Sequence, residues 1–449
     1  MPKVRVIGGG LAGSEAAWHL AELGVDVDLY EMRPHNMTPA HSTGLLGELV
    51  CSNSLKSEEL SNAAGLLKEE MRLMGSLVME AAEAARVPAG SALAVDRHEF
   101  ARFITERLEN HPRVNLIRQE VTQLNPNDGL VTVVATGPLT SKSFSSVLQE
   151  LTGGEHLYFY DAAAPIVSAD SLDMSKLFWG SRYGKGDADY LNAPMTEEEY
   201  ERFWQALVTA ERHELKEFER EVFFEGCMPV EVLASRGRDT LAFGPLKPVG
   251  LTPPGWSGRP YAVVQLRIDN RERTLFNLVG FQTNLKWGEQ ERVFRLIPGL
   301  ERAEFVRYGV MHRNVYLNAP AVLRSTCELR DHPGIFIAGQ LSGVEGYLES
   351  SASGILAGMN AGRRVRGLEP FSLPEETVFG ALMSYVSYEG KENLQPMHVS
   401  FGLLPSAAAK GGKKQKRLAQ AERSLRVLAT FLNEHDLGPV SRGHEEDDR

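Results

Sequence analysis

Along the first thirty positions the spacing of apolar residues changes twice. Val4, Val6 and Ile7 predict a short buried strand, and Gly8 to Gly13 a tight turn. From Ser14 to Leu23 the residues Ala16, Ala17 and Leu20 fall at helical spacing, and Gly24 stops the helix. Val25, Val27, Leu29 and Tyr30 predict a second strand, closed by Glu31. Strand, glycine turn, helix and strand make a βαβ unit. Between Thr38 and Asn62 no period dominates, which predicts a long loop of the functional or disordered kind. Helices are expected over 66–85 and over 97–108, the second capped by Asp96 with Glu99 at the capping-box position. Val131 to Val134 form a strand that runs into Ala135-Thr136-Gly137.

The pattern then shifts. Thr196 to Phe218 reads as a charged helix, and Phe243 to Trp287 is rich in Pro, Gly and alternating strand positions. The earlier signature returns at Gly334-Ile-Phe-Ile-Ala-Gly339, a strand ending in a glycine turn. A small-residue helix over 350–365 and a C-terminal helix over 415–432 follow, before an acidic tail at Glu445 to Asp448. The shift predicts three segments: 1–180 as the first part of one domain, 181–305 as an inserted α/β domain, and 306–449 as the rest of the first.

Composition narrows the classes. With 43% apolar and 8% aromatic residues over 449 positions, the chain can bury sizeable cores and is not disordered as a whole. Three cysteines cannot form a disulfide framework, so a reducing, cytoplasmic setting is expected. There is no apolar run long enough for a membrane helix, and the chain enters a strand at Lys3 with no leader pattern. The net charge of −11 argues against a nucleic-acid partner at first sight.

Five kinds of motif carry chemistry. Gly8-x-Gly10-x-x-Gly13 follows a strand, opens a helix and has Glu31 at the next strand end, the context of a dinucleotide fingerprint. Its amides, including those of Gly9, Leu11 and Ala12, face a pyrophosphate at the positive end of the helix, and Glu31 would accept from a ribose. Gly339-Gln340, then Glu345-Gly346-Tyr347, together with Gly137, resemble the later pieces of FAD sites and favour FAD over NAD as resident cofactor. Cys51 and Cys227 both sit in loops, where a reactive thiol competes with a small buried hydrophobe; Cys327, before a core strand, reads as buried. Basic residues cluster at Arg236 and Arg238, at Arg363, Arg364 and Arg366, and at Lys410, Lys413, Lys414, Lys416 and Arg417. Any one cluster reads as a solvated helix face; several on an acidic chain read as one directed surface. Tyr308 to Pro320, with His312, Arg313 and Asn314, and the nearby Trp287 suit a heteroaromatic ligand, although His312 is equally a candidate structural histidine.

These stretches together resemble the TrmFO family, the folate- and FAD-dependent tRNA (uracil-5-)-methyltransferases. The resemblance is carried by Val6-Ile-Gly-Gly-Gly-Leu-Ala-Gly13, Glu48-Leu-Val-Cys-Ser-Asn-Ser54, Ala135-Thr-Gly-Pro-Leu-Thr140, Asp161-Ala-Ala-Ala-Pro165 and Phe224-Glu-Gly-Cys-Met-Pro229. Met311-His-Arg-Asn314, Ala338-Gly-Gln-Leu-Ser-Gly-Val-Glu-Gly-Tyr347 and Phe401-Gly-Leu-Leu-Pro405 match as well. It covers all but the acidic tail. The related flavoproteins of the tRNA wobble uridine, the GidA or MnmG family, share the flavin pieces but are longer.

The resemblance implies a glutathione-reductase-like FAD-binding domain of Rossmann type. It also implies methylation of carbon 5 of the T-loop uridine, position 54 of tRNA, to 5-methyluridine. Methylenetetrahydrofolate would donate the carbon, and reduced FAD the electrons, recharged by NADH or NADPH. Such chemistry needs a thiolate that adds to carbon 6 of uracil, a second group that removes the proton from carbon 5, and a hydride source. By similarity Cys227 is the adding thiol and Cys51 the general base or methylene carrier, roles that could be exchanged. Arg236 or Arg238 would lower the pKa of Cys227. Trp287, His312, Arg313, Asn314 and Tyr347 are the folate candidates, and the arginines at 236 and 238 with the 413–417 cluster are the tRNA candidates. A wobble-uridine flavoprotein, a small-molecule FAD oxidoreductase and an RNA-binding flavoprotein with structural FAD are the competing expectations. Charge distribution removes the objection from −11, because 401–430 holds seven basic residues against one acid.

Overall fold

The structure is a computed structural model and describes residues 2–154, 156–162, 164–184, 187–213, 228–309, 311–389, 396–407, 411–435 and 437. Along 156–162, at 184 and along 311–314 only the backbone is described. Cys227 and the 224–227 stretch, Lys410 and the acidic tail lie outside the described residues.

The predicted βαβ unit forms the centre of a five-stranded parallel sheet. Its strands are Lys3–Ile7, Asp26–Tyr30, Val114–Ile117, Val131–Val134 and Ile335–Ile337, in the spatial order Ile335–Ile337, Val131–Val134, Lys3–Ile7, Asp26–Tyr30, Val114–Ile117. The last strand in sequence thus pairs beside Val131–Val134 across some two hundred residues of intervening chain, as the returning glycine-turn signature predicts. Helix Leu11–Glu22 leaves the first strand, and helix Tyr347–Arg364 packs against it backbone to backbone. A Cβ on Gly354 would stand 2.1 Å from the carbonyl oxygen of Ala12, and one on Gly358 2.8 Å from the Cα of Ala16. Only glycine permits so close a crossing.

The region expected as one helix over 66–85 is two, Ala63–Leu73 and Leu77–Ala84. Gly75 adopts φ +79° between them, and the side chain of Ser76 accepts from the amide of Met79 to start the second. Asp96 does cap Arg97–Glu109, accepting from the amides of His98 and Glu99, but Glu99 pairs with Arg102 instead of completing a capping box. The capping box occurs elsewhere, between Thr196 and Glu199 at the start of helix Glu197–Val208.

The second core surrounds a six-stranded antiparallel sheet. Its strands lie in the order Phe178–Trp179, Tyr190–Met195, Ala262–Ile268, Leu275–Leu278, Ile166–Ser168, Phe305–Arg307. Helices Glu197–Val208, Val230–Ser235 and Trp287–Phe294 contribute apolar residues to this core, which includes Phe203, Phe281 and Phe294. The sheet begins at Ile166, ahead of the expected boundary at 181, because Ile166–Ser168 pairs between Leu275–Leu278 and Phe305–Arg307. The backbone passes into and out of this unit along one antiparallel ribbon, His156–Ala162 against Met311–Leu317, with Ala162 opposite Met311.

The C-terminal helix Lys413–Glu434 is tied to the first domain through Glu70. This buried carboxylate, on Ala63–Leu73, accepts from the amides of Val378 (2.7 Å) and Phe379 (3.1 Å) and from the Ser424 hydroxyl. Burial pushes its pKa up to about 7 despite these donors. A folded-state pKa above the unfolded value makes the contribution full below the ordinary carboxylate range and lost as pH rises through about 7. Relative to Glu70→Gln, the wild-type chain is therefore expected to lose on the order of 1–3 kcal/mol of stability between pH 5 and pH 8. Denaturant unfolding of both proteins at the two pH values measures this, and parallel curves at both would refute it.

Candidate functional site

A cavity of about 400 Å³ opens at the carboxyl ends of the parallel strands, where ligands bind in open α/β sheets. Four strand ends feed it: Gly8 and Gly10 after the first strand, Glu31 after the second, Ala135 to Thr140 after Val131–Val134, and Gly339 and Gln340 after Ile335–Ile337. Glu345, Gly346, Tyr347 and Cys51 complete the wall.

The glycines divide their work. Gly8 has φ +103°, and a Cβ there would meet the carbonyl oxygen of Ala135 at 2.4 Å. A Cβ on Gly13 would stand 1.7 Å from the oxygen of Gly8, so this glycine lets helix and strand touch. Gly9 lies outside the lining and donates its amide to Glu31 Oε2 at 2.9 Å. Gly10 differs: a Cβ on it meets nothing within 4 Å, its backbone is extended at φ −74°, and it lines the cavity at the N-cap of Leu11–Glu22. Space beside an uncapped helix N-terminus fits the pyrophosphate of a dinucleotide such as FAD.

Glu31 lines the cavity as expected, but its oxygens are already engaged. They accept from the Gly9 amide, from the Arg33 amide (2.9 Å) and from Arg33 Nε (3.0 Å) and Nη2 (3.1 Å). Burial disfavours its charge, yet the Arg33 bonds prevail and hold its pKa below the usual range. Arg33 continues to Glu48 at 3.3 Å, whose oxygens also take the amides and hydroxyls of Ser42 and Thr43. The long loop predicted over 38–62 is thereby pinned by polar bonds in place of a periodic core.

Cys51 sits in that loop, part-buried, with its amide donating to the Tyr347 hydroxyl at 2.6 Å and the Ser52 amide to the same oxygen at 3.1 Å. Tyr347, 296 residues away in sequence, thus joins the thiol loop to the helix that packs on Leu11–Glu22. Burial pushes its phenol pKa upward, with an ionised Cys51 adding to the effect, so the ring stays neutral. Cys327 is buried and its thiol is pushed up to about 12, an inert core residue.

Other wall residues carry no sequence signal. Lys56 holds φ +63°, unusual for a residue with a side chain. Its ammonium reaches Glu349 at 3.2 Å and His398 Nδ1 at 3.0 Å. Glu349 is fully buried; burial opposes its charge, but Lys56 and His398 hold its pKa down at about 2. Arg97, Arg267 and Arg307 converge on the Cys51 loop from separate elements. An arginine inside the apolar strand Ala262–Ile268 was the one visible hint of them.

The ligand candidates outside the cavity separate. Trp287 opens helix Trp287–Phe294, is 58% exposed and stacks on Tyr308 at 5.3 Å, and it is absent from the described cavity lining. His312, Arg313 and Asn314 lie on the ribbon strand opposite Asp161, Tyr160 and Phe159, and their side chains lie outside the description. Arg238 forms ion pairs with Glu197, Glu201 and Asp239 and donates to the Tyr261 hydroxyl. Arg236 is exposed at the end of Val230–Ser235. Lys413, Lys414 and Lys416 are exposed in the first turns of Lys413–Glu434, while Arg417 covers Phe401 at 5.4 Å and approaches the Ser61 carbonyl at 3.4 Å.

Comparison with known proteins agrees with this geometry. The family model described as Glucose inhibited division protein A matches residues 3–369. A protein of Natranaerobius thermophilus named methylenetetrahydrofolate--tRNA-(uracil-5-)-methyltransferase TrmFO is 60% identical over 430 residues, covering 96% of this chain and 99% of its own. A protein of the same name from Moorella thermoacetica is 63% identical over 403 residues, covering 90% and 92%. The chain belongs to the TrmFO family. In structure it resembles Aquifex aeolicus GidA, with a TM-score of 0.70 at 19% identity, over 97% of this chain and 73% of that one. That likeness shows a shared fold, and this TrmFO-family chain carries its glycine cradle and thiol loop on it. No described helix is long and apolar enough to cross a membrane.

Two substitutions separate cradle from scaffold. Gly10→Ala is expected to leave the melting temperature within a few degrees while flavin retention falls, because its methyl enters only the cavity. Gly13→Ala is expected to lose about 1–3 kcal/mol or more of stability, because its methyl meets backbone. Thermal melts with absorbance of the bound flavin test both; equal behaviour of the two variants would refute the division.

Proposed function

We propose that this chain methylates carbon 5 of the T-loop uridine at position 54 of tRNA, with methylenetetrahydrofolate as carbon donor and FAD as reductant, recharged by NADH or NADPH. The observation that carries this is the position of Cys51: a thiol loop forms the wall of the same cavity as the glycine cradle. The names of relatives at 60% identity and more supply the substrate class.

The chemistry asks little beyond what these residues provide. A thiolate adds to carbon 6 of uracil, forming a C–S bond and leaving carbon 5 electron-rich; carbon 5 takes the methylene as its bond to folate nitrogen breaks. A base removes the proton of carbon 5 as the remaining bond between the methylene and folate nitrogen breaks, and hydride addition to the exocyclic methylene completes the methyl group as the C–S bond breaks. Reduced FAD, when bound, supplies hydride-transfer chemistry at this cavity. Cys227 is assigned the addition and Cys51 the base or carrier role, which are exchangeable on present grounds. Tyr347 orients the Cys51 backbone. Arg33 and Glu31 close the ribose end of the cavity, and Lys56 with Glu349 and His398 keeps a fixed charge pair in its wall.

For tRNA, the surface is assigned to Lys413, Lys414 and Lys416. Three lysines in the first turns of a helix lie at the positive end of its dipole, and no acid accompanies them in the first turn. Such a placement costs stability and gains affinity for phosphate.

Purified full-length protein supplied with tRNA transcript, methylenetetrahydrofolate and NADH or NADPH is expected to yield 5-methyluridine at position 54 by mass spectrometry. Unmodified transcript would overturn the assignment. Cys51→Ala and Cys227→Ala are each expected to slow methyl transfer by about 10²-fold or more. Neutralising Lys413, Lys414, Lys416 and Arg417 together is expected to weaken tRNA binding and to reduce the salt slope by about 3 at most, with FAD content unchanged. Filter binding across a salt series reads this, and an unaltered slope would move the RNA surface elsewhere.

A further inference from the structure

Arginines grip every residue of the thiol loop from 49 to 53. Arg97, the first residue of Arg97–Glu109, donates through Nη1 to the Leu49 carbonyl at 2.9 Å, and its Nη2 lies 3.5 Å from the Cys51 carbonyl. Arg307, at the end of strand Phe305–Arg307, donates through Nη2 to the carbonyls of Val50 (2.6 Å) and Ala40 (3.1 Å). Arg267, inside strand Ala262–Ile268, donates through Nε to Asn53 Oδ1 at 2.8 Å and through Nη2 to Ser52 Oγ at 2.7 Å. Two of the three come from the antiparallel sheet and one from the flavin-type domain.

Loop carbonyls can be satisfied by neutral donors, and a buried cation without a counter-charge is costly. Among the described residues, the carboxylates that act on Arg267 and Arg307, Asp269 and Glu48, are each ion-paired with another arginine. Asp269 pairs with Arg97 at 3.1 Å, and Glu48 pairs with Arg33. Among the described residues no carboxylate forms an ion pair with Arg267 or Arg307. The remaining titratable neighbours are uncharged: burial, aided by Arg33, lowers His41 to about 4, and burial raises the Tyr347 phenol. Burial also lowers the proton affinity of Arg267 and Arg307, and an ionised Cys51 is among the charges that restore it in both. Attraction of this kind is mutual, so the same two guanidiniums favour the ionised sulfur.

We propose that Arg97, Arg267 and Arg307 act as positioning residues that hold the Cys51 loop between the two domains, and that the charges of Arg267 and Arg307, only partly offset by Asp269 and Glu48, keep the Cys51 sulfur as a thiolate. The inference rests on the catalytic role assigned above to Cys51. It makes the thiol's reactivity depend on the antiparallel domain, which supplies both cations. Of the two described cysteines, Cys51 is then the low-pKa thiol, while Cys327 stays protonated.

The test is alkylation of the full-length, FAD-loaded protein with iodoacetamide between pH 5 and pH 10. The Cys51 peptide is quantified by mass spectrometry, so methyl transfer plays no part in the readout. Arg267→Gln and Arg307→Gln are each expected to raise the apparent pKa of Cys51 by about one unit, about tenfold slower alkylation at neutral pH. Arg267→Lys and Arg307→Lys keep the charge without the guanidinium fork and are expected to restore most of the wild-type profile. Flavin absorbance and far-ultraviolet circular dichroism establish that each variant is folded. Superimposable wild-type and Gln profiles would overturn the proposal. Lys variants as slow as the Gln variants would overturn its electrostatic part, because hydrogen-bond geometry alone would then account for the effect. A wild-type protein that methylates no tRNA would overturn the proposed function and leave these profiles as they are.

Discussion

Two helices that meet backbone to backbone organise this molecule. Leu11–Glu22 and Tyr347–Arg364 begin more than three hundred residues apart in sequence, yet Gly354 and Gly358 allow the second to lie directly on Ala12 and Ala16. That crossing brings the N-terminus of each helix to one cavity. The glycine turn enters from one side, and Gly346-Tyr347 from the other. A side chain at either crossing glycine would separate the two halves of the candidate cofactor site by the thickness of a methyl group or more, so the close contact is as much a requirement of the site as of the core.

From that crossing a chain of polar contacts runs outward to the thiol. Tyr347, in the first turn of the second helix, takes the amides of Cys51 and Ser52 on its hydroxyl, and the loop carrying them is held in turn by Arg97, Arg267 and Arg307. The loop has almost no apolar periodicity, and Leu46, Leu49 and Leu55 reach the apolar core at irregular intervals. Its fold is a set of backbone and side-chain bonds to buried ionised groups, Glu48 and Arg33 at one end and Arg267 at the other. Such a loop is ordered only when the groups around it are in place.

This explains what could be read from the sequence. Elements whose form follows from local spacing were legible: the strand, glycine turn and helix at Lys3 to Glu22, the Asp96 cap, the strand Ile335–Ile337 and the C-terminal helix. Wall positions of the cavity such as Gly10, Glu31, Cys51, Gly339 and Tyr347 were legible because glycine turns and a loop cysteine carry their own signature. What depends on distant partners was not. Gly75 breaks a pattern that reads as one continuous helix, and Ile166–Ser168 joins the second sheet only through pairing with strands a hundred residues later. Arg307, Lys56 and His398 are ordinary surface types in sequence, and only the fold turns them inward. Trp287, a ligand candidate from its aromatic character, lies on the surface against Tyr308.

The ribbon of His156–Ala162 and Met311–Leu317 carries a consequence for ancestry. Because the chain leaves the flavin-type domain and returns to it at paired positions, the antiparallel unit is attached by its two neighbouring ends, like a clasp. A segment so attached can be lengthened, shortened or exchanged during descent while the strand order of the parent sheet stays intact. The antiparallel unit and the parallel sheet are then separately heritable, and the arginine-held loop, where the two meet, must be renegotiated with each exchange.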